Sequence, residues 1–249
     1  MQKIIVQEQS SQIKQNLMPE CRTILFDLDG TLIDHFSAIH RSVAYAQKRL
    51  GLPQSDYDTV RATVGGSVPV TLGKLLGPEH VDAALPHFRA HFDEIMLHDV
   101  AVLPGAEWLL RELKARGLQL AVFTNKFGDH SRAVLAHLGL DQWLDDVIGT
   151  GHTPHRKPEA EFTRYALDRL DASADTTILV GDSPFDYQAA AGLMIPAYLV
   201  ATGSHRTEQL AADTEAAAIF DDLFQLGQQL FDLKTPPAPQ TPLAPPDPA

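Results

Sequence analysis

The stretch Ile24-Leu25-Phe26-Asp27-Leu28-Asp29-Gly30-Thr31-Leu32 limits what this chain can become more than any other. Three apolar residues in a row, with no polar alternation, suit a strand covered on both faces, as in a parallel sheet flanked by helices. The run then stops at two carboxylates and a glycine. Asp27 and Asp29 lie two apart, so on an extended chain they share a face, and Gly30 permits a sharp turn after them. Ligands of open α/β sheets bind just beyond such strand ends. Two carboxylates held together in an apolar setting persist when a cation lies between them or when one carries a proton. Taken alone, the pair reads equally well as a solvated Asp-Gly turn.

The periodicity of the rest supplies the context. Phe36, Ile39, Val43, Ala46 and Leu50 recur every three or four positions before Gly51 and Pro53, which predicts a helix over 36–50. Helical patterns return over 68–76 and 81–96, separated by Gly65-Gly66 and Gly77-Pro78, with no strand pattern between them. From Leu103-Pro104-Gly105 onward helices and strands alternate. Helices are expected over 107–116, from an Asp129 N-cap to Leu138, over 159–170 and over 185–191. Strands are expected over 118–123, 147–148, 177–180 and 197–200. The alternation predicts an α/β fold, a Rossmann-like parallel sheet core built from residues 21–33 and 104–233. An all-helical domain, 34–103, is inserted after the opening strand. Residues 1–20 read as a polar extension, and the proline-dense segment 234–249 reads as an extended, disordered tail.

Composition removes several classes of partner. The chain has 249 residues, 44% hydrophobic and 21% charged, with a net charge of −12. That balance argues against nucleic acid and against an anionic membrane surface, both of which need a basic patch. No apolar run approaches the ~20 residues of a membrane span, and residues 1–20 lack the apolar core of a secretory signal. A single cysteine, Cys21, forms no internal disulfide. A cytoplasmic protein is expected.

Parallel strands share one edge for their tips, so Asp27 with Asp29, Thr124 with Asn125, and Asp182 with Asp186 should converge, beside Lys157 at a helix start. Carboxylates for a metal, a hydroxyl and a lysine are the parts that phosphoryl transfer needs. Singly, each has a plainer reading: Lys157 as a solvated residue before a helix, Asp186 as a capping acid after Pro184. Together, Asp27-Leu28-Asp29-Gly30-Thr31-Leu32, Phe123-Thr124-Asn125-Lys126, Lys157-Pro158 and Gly181-Asp182-Ser183-Pro184-Phe185-Asp186 stand in an order and spacing that resembles the haloacid dehalogenase superfamily of phosphohydrolases. The resemblance covers about residues 22–225. Segment 34–103 resembles that family's helical C1-type cap, and the short run between Lys157 and Asp182 leaves no room for the other common cap.

The resemblance implies that Asp27 is the nucleophile of an aspartyl-phosphate route and that Asp29 is the acid and then the base, a role requiring Asp29 to start protonated. It implies Mg²⁺ held by Asp27, the carbonyl of Asp29 and Asp182, with Asp186 orienting a metal-bound water. Thr124, with Gly30, Thr31 and Asn125, would bind the phosphoryl group, and Lys157 would offset its charge. The implied activity is that of a phosphatase for a small phosphorylated metabolite, nearest the phosphoglycolate phosphatase branch, working as a monomer or homodimer. A β-phosphoglucomutase-type phosphomutase and a pyrophosphatase are the alternatives, and a catalytically idle binding protein is a third from another class. A dehalogenase is disfavoured because Asp29 is present. Asp34-His35-Phe36 departs from the Asp-Ser or Asp-Thr that relatives commonly carry there. In the cap, Gly65-Gly66-Ser67 either contacts the substrate through Gly66 or merely joins two helices. His87 and His91 are expected to be a surface pair, and His152 with His155 an ordinary loop.

Overall fold

The computed structural model describes residues 21–234. Its centre is β1, Thr23–Phe26, which takes β4 (Gln119–Phe127) on one side and β6 (Thr177–Gly181) on the other, both parallel. With β5 (Asp146–Thr150), β7 (Ala197–Val200) and β8 (Ala218–Phe220), the strands form a parallel sheet in the order β5-β4-β1-β6-β7-β8. The unbroken apolar run of β1 is explained by its burial on both faces. Ile24 and Phe26 face a layer that includes Val122, Val180 and Leu226, while Leu25 faces Ala121, Phe162 and Ala190. The former layer is closed by α5 (Ala106–Ala115), α6 (Gly128–His137) and α10 (Leu223–Phe231), the latter by α7 (Ala160–Leu170) and α8 (Pro184–Ala191). A further helix, α9, spans Thr207–Asp213.

The inserted segment is helical in its body: α1 (Phe36–Arg49), α2 (Tyr57–Thr63), α3 (Val68–Leu76) and α4 (Val81–Ile95). Phe36, Ile39 and Val43 of α1 bury against Phe88, Phe92 and Ile95 of α4, a separate core. The expectation of helices alone needs one correction. β2 (Ile33–Asp34) and β3 (Ala101–Val102) pair antiparallel, so a two-stranded ribbon joins the insertion to the sheet domain. Two-residue strands leave no periodicity to read. A second correction concerns α6, whose N-cap is Phe127, with Asp129 inside the first turn. Strand β4 also runs past 123 to Phe127, with a register shift between Phe123 and Phe127, which places Thr124-Asn125-Lys126 within an irregular strand end. No helix among the described residues is long and apolar enough to cross a membrane. The polar extension and the proline-dense tail lie outside the described residues.

Candidate active site

The chain leaves β1 into a tight turn in which the Leu28 carbonyl accepts from the N–H groups of Thr31, Leu32 and Ile33. Gly30 adopts φ +93°, and a Cβ there would stand 2.8 Å from both Asp182 Oδ2 and the Gly203 Cα. Only glycine satisfies both demands. The turn holds Asp27 and Asp29 at the sheet edge while Leu28, Leu32 and Ile33 anchor it in the core.

Asp27, Asp182 and Asp186 are all buried, and each offers a carboxylate oxygen within 4.8 Å of the others. Lys157, 2% exposed, sits among them. Its Nζ donates to Asp27 Oδ1 at 2.7 Å, to Asp186 Oδ1 at 2.6 Å and to the Phe123 carbonyl at 3.0 Å. Burial disfavours the ammonium, but the two carboxylates outweigh it and raise the Lys157 pKa. Burial raises the Asp27 carboxyl to about 6, with Lys157 opposing and Asp186 adding to the shift. Burial, Asp186 and Asp27 likewise push Asp182 well up, against donation from Ser204. One lysine leaves this trio short of positive charge, and hard carboxylate oxygens are the donors that Mg²⁺ selects. The donor set therefore fits such an ion.

Asp186 does more than its expected part. Its Oδ2 accepts from the N–H groups of Asp182 and Ser183 and from the Ser183 hydroxyl at 2.7 Å, forming a capping box on α8. The capping role and the Lys157 pair coexist on one side chain. Thr31 Oγ1 reaches Asp182 Oδ1 at 3.4 Å. Thr124 is 2% exposed at the same edge. Asn125 is a stitch: Oδ1 accepts from the Lys157 N–H at 2.7 Å, and Nδ2 donates to the Lys157 and Gly65 carbonyls, each at 3.1 Å.

Asp29 stands apart from the trio. Lys126 Nζ lies 3.2 and 3.1 Å from its two oxygens, and His35 Nδ1 lies 3.4 Å from Oδ1. Burial would raise this carboxyl, but Lys126 and His35 prevail and hold it well below the ordinary range. The expectation that Asp29 starts protonated is corrected here, because a lysine facing both oxygens favours the carboxylate. His35 is fully buried, with Nε2 2.8 Å from the Met96 carbonyl. A carbonyl only accepts, so Nε2 must carry the proton, and Nδ1 then faces a second acceptor. Burial and Lys126 lower the His35 pKa while Asp29 and the Met96 carbonyl raise it. The balance leaves His35 below the usual imidazole range, with its Nδ1 buried beside Asp29 and without a hydrogen-bond partner among the described residues.

Sequence reasoning passed over three contributors. Lys126 was visible only as the last residue of a motif, and its partner became evident once β4 extended to Phe127. His35 registered only as a departure from pattern. Ser204, whose N–H and hydroxyl donate to Asp182 Oδ2 at 2.8 and 3.0 Å, follows β7 at the same edge, and its Gly203-Ser204 context was the available signal. The cap turn lies on the site: a Cβ at Gly65 would stand 3.3 Å from Ser183 and Phe185, and Gly66 lines the cavity between cap and sheet. His91 bonds to Ser42 and stacks on Tyr45, whereas His152 and His155 pair with Asp129 and Glu159, all away from the acids.

Known proteins resemble this chain in sequence and in fold. The family model of haloacid dehalogenase-like hydrolases matches residues 24–200. A probable phosphatase, IndB, of Dickeya dadantii is 34% identical over 222 residues, covering 86% of this chain and 96% of that one. A phosphoglycolate phosphatase of Rhodospirillum rubrum is 33% identical over 220 residues, covering 84% and 90%. Among solved structures, that of a predicted phosphatase from Clostridium acetobutylicum superposes with a TM-score of 0.80 at 26% identity, covering 86% of this chain and all of that one.

Proposed function

The chain belongs to the haloacid dehalogenase-like hydrolases, and on that premise we propose that it is a Mg²⁺-dependent phosphatase hydrolysing small phosphomonoesters through an aspartyl-phosphate on Asp27. The observation that carries the reading is the buried trio Asp27, Asp182 and Asp186, two of which Lys157 bridges. Asp27 and Asp182 would hold the ion with the Asp29 carbonyl, and Asp186 would act through a water. The ion supplies charge neutralisation for the phosphoryl oxygens and the carboxylates.

Asp27 attacks phosphorus, and the P–O bond to the alcohol breaks. The departing oxygen takes its proton through Asp29, which must gain that proton as the ester binds. In the second half, Asp29 accepts a proton from water, the water oxygen attacks phosphorus, and the acyl P–O bond breaks to release phosphate and restore Asp27. Lys157 keeps the nucleophile ionised and offsets the phosphoryl charge, with the Thr124 hydroxyl and backbone N–H groups around Asn125 as the donors. The cap excludes bulk water and restricts the site to small esters. A phosphorylated metabolite in the cytoplasm fits that size class.

The test is inorganic phosphate release from a panel of phosphomonoesters, phosphoglycolate included, with Mg²⁺ and with chelator. Turnover should require Mg²⁺. Asp27→Asn should abolish both turnover and trapping of the acylphosphate while retaining the fold by circular dichroism. Normal turnover in that variant would refute the nucleophile assignment, and isomerised product without phosphate release would indicate a mutase.

A further inference from the structure

Beside the acids lies a cavity of about 330 Å³ between cap and sheet. Asp29, Asn125 and Lys126 form its inner wall, whereas Asp27, Lys157 and Asp182 do not line it. It therefore begins where a leaving oxygen would take its proton and extends away from the phosphoryl site. That is the path an ester's alcohol portion must follow.

The chemistry of this wall is distinctive. Phe88, Phe92, Phe127, Leu72, Val68 and Ile39 are among its apolar lining. Phe88 and Phe92 stack with centroids 5.6 Å apart and planes at 11°, and Phe127 is 41% exposed at the rim. Of the cations present, Lys126 is held by Asp29 and lies over the Phe92 ring at 4.6 Å. Arg89 is exposed and forms no ion pair among the described residues. His130 is paired with Asp93 at 2.8 Å, and burial lowers its pKa. No buried counter-charge is left for a carboxylate beside the reacting oxygen, and burying one unpaired is costly. The cavity's volume falls within the ~300–1,000 Å³ of sites for small organic molecules, larger than glycolate needs.

Resting on the phosphatase reading above, we infer that this cavity selects phosphomonoesters whose alcohol is an uncharged, flat, apolar or aromatic body, in preference to short acidic alcohols such as glycolate. Phe88, Phe92 and Phe127 are the specificity-determining residues. Aromatic faces reward a flat guest through offset or edge contacts as well as burial.

The experiment compares kcat/KM for benzyl phosphate and naphthylmethyl phosphate with that for phosphoglycolate and ethyl phosphate, using the full chain with Mg²⁺. In all four the ester oxygen is on a saturated carbon, so leaving-group acidity does not decide the outcome. The aromatic esters should lead phosphoglycolate by at least ~10-fold, mainly through KM. Phe127→Ser, at a half-exposed position where folding is not at stake, should lower that ratio several-fold. Val68→Arg, which supplies a cation to the wall, should move it toward phosphoglycolate. A wild-type preference for phosphoglycolate, or a ratio indifferent to both substitutions, overturns the inference and leaves the phosphatase reading intact. Absence of phosphate release from every ester, without trapped acylphosphate, overturns the phosphatase reading and the inference with it.

Discussion

At the scale of single residues, the site is an arrangement of charges that burial makes expensive and pairing makes tolerable. Lys157 shows the balance. Lys157→Met would leave Asp27 and Asp186 buried without their cation, and breaking such a pair costs about 3–5 kcal/mol. The expected outcome is loss of turnover with a matching fall in the urea midpoint. Without a metal, burial pushes the Asp27 carboxyl up, to about 6. An acid with a raised folded pKa binds its proton more tightly folded than unfolded. It stabilises the fold below the unfolded value of about 4 and loses that contribution as pH rises to about 6. Mg²⁺ must displace the same proton, so its affinity should fall as pH drops through about 6, with proton release measurable by calorimetry in buffers of different ionisation enthalpy. His35→Phe removes the ring whose Nδ1 lies 3.4 Å from Asp29. It should lower kcat by about 10-fold or more with little change in KM and shift the pH profile of kcat.

Secondary-structure elements decide how these residues meet. The turn after β1 exists because Gly30 takes a left-handed conformation against Asp182 and Gly203. Gly30→Ala should cost about 1–3 kcal/mol in the denaturation midpoint and weaken Mg²⁺ binding by displacing Asp182. Much at this scale was legible beforehand. The strand carrying Asp27 announced itself by three consecutive apolar residues, and α1 by its three-and-four spacing. Other parts were not legible for physical reasons. The β2–β3 ribbon is too short to have a period, and the extension of β4 through polar Thr124-Asn125-Lys126 runs against strand composition. The Lys126–Asp29 pair spans 97 positions and follows only once that extension is known. Asp186 was readable as either a cap or a site acid, and it is both because capping uses one oxygen and Lys157 the other.

For the whole molecule, the cap and the sheet domain form one enclosure. Arg61 on α2 donates to the Thr202 and Gly203 carbonyls at 3.1 Å each, Asn125 donates to Gly65, and Asp93 pairs with His130 across the cavity. Arg61→Ala should loosen this closure and raise KM more than it lowers kcat, by steady-state kinetics. A bound ion should stabilise the ensemble: at a hundred times its Kd, Mg²⁺ adds ~2.7 kcal/mol, about 5–10 °C in Tm for a domain of this size. Asp182→Asn should erase the shift without unfolding the protein.

The central place of β1 also has a consequence in time. Among the described strands it is made first, yet one neighbour joins it through the Thr23–Gln119 pairing, 96 positions later, and the other starts at Thr177. Until both have been synthesised, Ile24, Leu25 and Phe26 have no strand to pair with, a period in which chaperones or aggregation compete for them. The strand that leads into Asp27 is thus made before both of its partners and finds its place only after them.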